Sequence, residues 1–257
     1  MKDLLLCIDV GNTQTVLGVF QGKEITSRWR IHSDRDKTAD EYIHLIRDLL
    51  RSDQVHEGAL KGISISCVVP PARQALIDMS RTALGIEPLV VGPGIRTGMP
   101  ILYDNPKEVG ADRIANAVAA FELFRKGLII IDFGTAITFD VVSESGEYIG
   151  GVIFPGIQIS LDALFLKAAK LARVELERPE SVIGRDTIGS IQSGMVYGYA
   201  GLVDSLVKRI SQEGGKGRYV VATGGLAQVI AGESRTINRI LPDLTLEGLR
   251  ILWERNQ

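Results

Sequence analysis

Unbroken apolar runs and one-sided apolar stripes alternate along most of this chain, the pattern expected of strands alternating with helices. Leu4–Val10 is apolar apart from Asp9, and strand-like runs follow at 15–20 and 24–31, separated by polar turns at 11–14 and 21–23. Together these predict a three-stranded meander. Thr38-Ala-Asp-Glu41 has the spacing of a capping box, and behind it Tyr42, Leu45, Ile46, Leu49 and Leu50 fall on one helical face. A strand is expected at 62–69, stopped by Pro70-Pro71, which also suits the first turn of a helix carrying Ala72, Ala75, Leu76 and Met79 on one side. A short strand at 88–91 and a Gly/Pro-rich loop over 92–106 lead to a helix at 111–125, striped by Ile114, Val118 and Phe121. Strands are then expected at 128–132 and in two runs up to Phe154, helices at 157–172 and 187–211, and a strand at 218–222. The remainder gives only short, mixed signals.

The pattern repeats. Leu6-Cys-Ile-Asp9-Val-Gly11-Asn-Thr13 matches Ile129-Ile-Ile-Asp132-Phe-Gly134-Thr-Ala136, each an apolar strand ending in Asp-x-Gly and followed by a second and a third strand. A repeat this long exceeds solenoid periods and implies two duplicated lobes. A tight turn between strands exposes backbone N–H groups, and glycine removes the Cβ that blocks close approach of a phosphate. A carboxylate at the strand end can hold hydrated Mg²⁺ or another cation beside those phosphates. Two such turns suit a triphosphate, because phosphoryl transfer depends mainly on positioning and electrostatics. Thr223-Gly-Gly225, after a later strand, is the expected seat of an adenosine end. One Asp-x-Gly by itself marks an ordinary turn; the matched pair carries the reading.

Composition narrows the partners. The net charge is −2 over 257 residues, which leaves no cationic excess to neutralise a nucleic-acid backbone. The first apolar stretch is too short for a membrane span and reads as a buried strand of a cytoplasmic protein. Cys7 and Cys67 sit in apolar runs and read as packed thiols rather than a disulfide framework. His32, His44 and His56 lack metal-ligand spacing. The glycine-rich segments at 92–98 and 214–217 fit neither a dinucleotide fingerprint nor a P-loop, and read as turns.

Gly110-Ala-Asp112-Arg113 opens the helix at 111–125 and admits two readings. Asp112 can cap the helix while Arg113 snorkels. Alternatively, Asp112 takes the proton of an acceptor hydroxyl and Arg113 holds an anionic group, beside a loop carrying Tyr103 and Asp104. A helix starting at Thr187 carries Gly194, Gly198 and Gly201, a small-residue stripe that suits either internal packing or a subunit contact bringing Thr187 to a site.

Taken together, Asp9-Val-Gly-Asn-Thr-Gln-Thr-Val16, Ser66-Cys-Val-Val-Pro70, Pro93-Gly-Ile-Arg-Thr-Gly98, Tyr103-Asp-Asn-Pro106, Gly110-Ala-Asp-Arg113, Asp132-Phe-Gly-Thr-Ala-Ile-Thr138, Gly150-Gly-Val-Ile-Phe-Pro-Gly156 and Ala222-Thr-Gly-Gly225 resemble the type III pantothenate kinases of the actin-like, sugar-kinase superfamily. The resemblance implies an α/β fold of two actin-like, ribonuclease H-like lobes, 1–115 and 116–257, with mixed sheets flanked by helices and an ATP cleft between them. It implies ATP contacts at Asp9, Val10, Gly11, Asn12, Thr13, Gln14, Thr15, Val16 and Thr135, to which the adenosine turn adds Gly224 and Gly225. Pantothenate contacts are implied at Tyr103, Gly110, Ala111, Asp112, Arg113 and Thr187, with Asp112 the proton acceptor. Asp132 would hold a monovalent cation, K⁺ or NH₄⁺, and Asp9 would support Mg²⁺ through water. Such enzymes are cytoplasmic homodimers that make 4′-phosphopantothenate for coenzyme A. A kinase for another small hydroxylated metabolite and a non-catalytic ATP-binding transcriptional accessory factor are the competing readings. Loss of Asp112 would be tolerated only by the latter.

Overall fold

A computed structural model describes residues 3–168, 174–214 and 217–257. In chain order the elements are β1 (Leu4–Val10), β2 (Gln14–Gln21), β3 (Glu24–His32), α1 (Ala39–Ser52), β4 (Leu60–Cys67), α2 (Pro70–Ala83), β5 (Leu89–Val90), α3 (Ala111–Phe124), β6 (Leu128–Phe133), β7 (Ala136–Val142), β8 (Tyr148–Pro155), α4 (Ile157–Lys167), α5 (Thr187–Gly214), β9 (Tyr219–Thr223), α6 (Ala227–Ala231), β10 (Arg239–Ile240) and α7 (Leu244–Arg255), with 3₁₀ turns at Glu57–Ala59 and Pro106–Glu108. Of the helix expected at 157–172, residues 169–172 lie outside the described residues, as do Gly215 and Lys216 of the segment 214–217.

The chain falls into two compact units, one of residues 1–122 and 244–257 and the other of residues 123–243. The boundary between them falls inside α3, at 122/123, and the last helix groups with the first unit. The first unit holds a five-stranded sheet in the order β3-β2-β1-β4-β5. The second holds one in the order β8-β7-β6-β9-β10. In each, an antiparallel meander of three strands is extended by a parallel strand paired to the first of the three and by a second parallel strand beyond it. The duplication read from the sequence is therefore a duplication of topology, and the α/β class with two mixed, helix-flanked sheets is the one observed.

In the first unit, Leu6, Ile8, Val10, Ile63 and Ile65 point to one face of the sheet and are buried with Tyr42 and Ile46 of α1 and Leu76 and Met79 of α2. The capping box that starts α1 is formed: Thr38 Oγ1 accepts from the Glu41 amide, and Glu41 Oε2 accepts from the Thr38 amide at 2.8 Å. Helix α7 covers the other face. It approaches so closely that a Cβ on Gly18 would stand 2.8 Å from Leu246 Cδ1, and one on Gly62 would stand 2.5 Å from the Trp253 ring. A Cβ on Gly248 would overlap the carbonyl of Ala115 in α3. Helix α7 is thus wedged between sheet and α3, and its residues are buried nearly all round, Leu244, Leu246, Leu249, Arg250, Ile251 and Leu252 included. In the second unit, Ile129, Ile131 and Phe133 of β6 are buried with Val203 and Val207 of α5, Val220 and Ala222 of β9, and Ile230 of α6.

Candidate active site

In the first unit, β1 ends and β2 begins with Asp9 registered against Val16 and Val10 against Thr15, so residues 11–14 form the turn. Gly11 N donates to Gln14 O at 3.0 Å, and Ser33 N donates to Thr13 O at 2.9 Å, which fixes the turn from the β3 side. Thr15 and Val10 are buried, and Thr15 Oγ1 is 2.8 Å from Ser33 Oγ. Those two side chains belong to the scaffold; what the segment exposes is Asn12, Thr13 and Gln14, with Asp9 half-buried at the root. On its other edge β1 pairs in parallel with β4, registering Asp9 with Ser66 and Val10 with Cys67. Burial pushes the Cys67 thiol above its ordinary range, Asp9 adds to that shift, and the Sγ–H donates to Val69 O at 3.1 Å. Cys67 is accordingly a packed thiol and not a nucleophile.

The second unit repeats the device with one residue fewer. Asp132 registers with Thr138 and Phe133 with Ile137, and Gly134 N donates to Ala136 O at 3.1 Å. Gly156, just ahead of α4, donates its amide to Thr135 O at 3.1 Å, and a Cβ there would overlap the Gly134 and Thr135 carbonyls. Asp132 also registers with Thr223 across the parallel β6/β9 pair. The chain then turns through Gly224, whose φ is +92°. A Cβ at Gly224 would lie 2.6 Å from Asp132 Oδ1, so the glycine is what leaves the carboxylate its place. Gly225 beyond it is exposed. Among the described residues no group of three or more His, Cys, Asp or Glu gathers. A cation at Asp9 or Asp132 would therefore take one carboxylate and complete its shell with backbone, water or phosphate oxygens, as hard cations beside nucleotides do.

The acceptor constellation sits on α3. Asp112 Oδ1 accepts from Arg113 N at 2.8 Å and folds back over Gly110, where a Cβ would overlap that oxygen. A Cβ at Gly110 would therefore displace the Asp112 carboxylate from this position. Arg113 does not snorkel: it is buried, at 7 % exposure. One turn later the fully buried Asn116 accepts from Thr245 Oγ1 of α7 at 2.8 Å, while Ser64 Oγ of β4 donates to Leu249 O of α7 at 3.0 Å. Through α7, helix α3 and the strands bearing the 11–14 turn share one support. Tyr103 is half-buried in the loop before α3. The glycine-rich 92–98 segment is a turn held by the end of α7, where Arg96 N donates to Asn256 Oδ1 at 2.9 Å and Arg255 bonds Thr97 O.

Thr187 opens α5 in the second unit. Asp186 caps this helix, accepting from Gly189 N at 2.7 Å. An open pocket of about 680 Å³ surrounds the cap, lined by Leu164, Arg185, Thr187, Ile191 and Met195 among others. Gly194, Gly198 and Gly201 are exposed, and a Cβ on any of them would meet nothing within 4 Å. Internal packing is thus not what these glycines serve in this chain. Val182, Ile183 and Ile188 nearby are also exposed, at 66 %, 80 % and 54 %. Sequence reasoning missed Ser33, Asn116 and Thr245, and it named Ser66 and Gly156 only within family-like motifs, with no role attached.

The family model described as "Type III pantothenate kinase" matches residues 5–209. A type III pantothenate kinase of Anaeromyxobacter sp. is 55 % identical over 254 residues, covering 99 % of this chain and all of the relative. Among solved structures, a Campylobacter jejuni protein of the Baf family of transcriptional activators superposes with a TM-score of 0.60 at 18 % identity, covering 98 % of both chains. The inorganic polyphosphate/ATP-glucomannokinase of Arthrobacter sp. strain KM gives 0.51 at 12 % identity, covering 97 % of each chain. At these identities the structures speak to the fold alone, which this chain shares with them.

Proposed function

The chain belongs to the type III pantothenate kinase family and phosphorylates pantothenate with ATP and a divalent metal in coenzyme A biosynthesis; from that premise we propose the following roles for its residues. The turn at 11–14 and its flanks, Asp9 through Val16, receive phosphate oxygens on backbone N–H groups and the exposed polar side chains, and Asp9 supports the metal through water. Thr135 contributes a second set of phosphate contacts, and Gly224 and Gly225 receive the adenosine end. Asp132 holds a monovalent cation, K⁺ or NH₄⁺. Tyr103, Gly110, Ala111, Asp112, Arg113 and Thr187 contact pantothenate, Arg113 taking its carboxylate.

The observation that supports the catalytic assignment is the fixed placement of Asp112. One carboxylate oxygen is tied to the first turn of α3 at 2.8 Å, over a residue with no Cβ. In our reading the other oxygen meets the acceptor hydroxyl. That hydroxyl oxygen bonds to the γ-phosphorus, the bond from phosphorus to the β–γ bridging oxygen breaks, and ADP leaves with its electron pair. The hydroxyl proton passes to Asp112. In a loose transition state that transfer comes late, so the step demands no strong base. The divalent metal, when bound with ATP, neutralises charge on the phosphate oxygens.

We assign the enzyme to the cytoplasm and to a homodimer whose contact runs along Gly194, Gly198 and Gly201 of α5. An exposed stripe of small residues flanked by exposed Val182, Ile183 and Ile188 supports this surface. The direct test of the roles is product analysis of Asp112→Asn. Retained ATP affinity with lost phosphopantothenate formation is expected, and wild-type turnover would remove Asp112 from the mechanism.

A further inference from the structure

Strand β4 carries two serines on the sheet face covered by α7, and they are in opposite situations. Ile63 and Ile65 point into the core on the α1/α2 side. Alternation therefore places Ser64 and Ser66 on the α7 side, together with Cys7 and Asp9 of the neighbouring β1. Ser64 is fully buried and satisfied, since its Oγ donates to Leu249 O. Ser66 is equally buried, and its Oγ has no hydrogen-bond partner among the described residues.

The reason lies in the direction of α7. Trp253 lies against Gly62 and Leu249 against Ser64, so the helix runs antiparallel to β4. The same spacing carried one step further sets Ser66 opposite the first turn of α7, which begins at Leu244. A helix start presents N–H groups and not carbonyls, so the acceptor that Ser64 finds is missing there. A buried hydroxyl without a partner is costly, and a chain that retains one where alanine would fit points to a use for it. Its register partner is Asp9. Neighbouring strands stand about 4.8 Å apart, so two side chains on one face of a registered pair are within hydrogen-bonding reach after a rotamer change. In the second unit the corresponding register partner of Asp132 is again a buried hydroxyl residue, Thr223.

We propose that Ser66 is a positioning residue for phosphoryl transfer: in the nucleotide-loaded enzyme its hydroxyl donates to the Asp9 carboxylate and fixes the orientation in which Asp9 supports the metal of MgATP. This rests on the reading of Asp9 given above. No role in contacting ATP or pantothenate is assigned to Ser66 itself.

The test compares Ser66→Ala, Asp9→Asn and the double variant by thermal unfolding of the ligand-free proteins, by ATP binding with and without Mg²⁺, and by kcat and KM for MgATP. Ser66→Ala should unfold at the wild-type temperature or above it, because it deletes an unsatisfied buried group. It should bind ATP without Mg²⁺ as the wild type does, yet lose roughly tenfold in kcat/KM for MgATP, the scale of one charge-assisted hydrogen bond. In the Asp9→Asn background the same change should cost less than twofold. Ser66→Thr, which keeps the hydroxyl, should recover part of the loss. A lower melting temperature for Ser66→Ala, unchanged MgATP kinetics, or an equal loss in the Asp9→Asn background would each overturn the proposal. If Asp9→Asn alone left the Mg²⁺ dependence untouched, the reading of Asp9 would fall instead, and the role of Ser66 with it.

Discussion

Replacing Gly224 by alanine tests how the turn after β9 holds the Asp132 carboxylate in place. Gly224 sits at φ +92°, where an L residue is strained, and its added Cβ would lie 2.6 Å from Asp132 Oδ1 and 2.7 Å from both N and C of Phe133. Two of those three atoms are backbone of β6, held in the sheet by pairing on both edges, and cannot give way cheaply. The left-handed conformation costs about 1–2 kcal/mol for a residue with a Cβ. Forcing an extra carbon into a packed site adds about 1–3 kcal/mol. The sum, about 2–5 kcal/mol, corresponds to a melting temperature lower by roughly 5–15 °C for units of this size. The soft partner is the carboxylate, so Asp132 should swing away, and activation by K⁺ should weaken along with ATP affinity. Calorimetric melting with and without K⁺, paired with kcat/KM for ATP, reads both effects. Gly58→Ala, on an exposed 3₁₀ turn where a Cβ would meet nothing within 4 Å, is the control and should be neutral or stabilising by up to about 1 kcal/mol. A Gly224→Ala enzyme that melts within 2 °C of wild type and keeps its K⁺ response would refute the packing argument.

Asp112→Asn should leave ATP binding intact and lower kcat by roughly 100-fold or more, measured by coupled ADP release. Gly198→Glu places a charge where this chain leaves open space; light scattering should show association weakened by roughly 100-fold, as a buried unpaired charge requires, and the stability the dimer contributes should be lost with it. A variant that stays a dimer would exclude that face. Burial raises the pKa of Asp204, but donation from Ser234 and Thr236 side chains and from the Arg235 and Thr236 amides outweighs it and holds the carboxyl below its ordinary value. Its contribution is therefore present above the unfolded Asp pKa of about 3.9 and is lost as pH falls through the lower folded value. Asp204→Ala should cost about 2 kcal/mol at pH 7, and the gap between its melting curve and that of the wild type should narrow as the pH falls below about 3.9; a gap independent of pH would contradict the carboxylate's role.

The parts of the fold that were legible are those where one face of an element meets solvent or a turn. The Asp-x-Gly turns announce themselves because apolar strands end there in a charge and a glycine, and the capping box fixes the start of α1. Helix α7 was not legible, because Leu244, Leu246, Leu249, Ile251 and Leu252 are buried on more than one side and leave no polar stripe to set a period. The same holds for α3, where every residue from Arg113 to Ala120 is buried, so the stripe of Ile114, Val118 and Phe121 described only part of its packing. At the site, the glycine of Gly-Ala-Asp-Arg was visible but its reason was not: the fold of Asp112 over Gly110 is a side-chain event. Ser66 was visible only as the first residue of a motif, and the register with Asp9 and its unpaired hydroxyl are what distinguish it from Ser64.

The most direct test of the account is ADP release by the purified protein with Mg²⁺ATP, with and without pantothenate, in K⁺ buffer and again in Na⁺ buffer free of K⁺ and NH₄⁺. The account predicts ADP release that requires pantothenate, yields phosphopantothenate one for one, and collapses in Na⁺ alone. Turnover indifferent to pantothenate would contradict the kinase assignment, and full activity in Na⁺ would contradict the cation role given to Asp132.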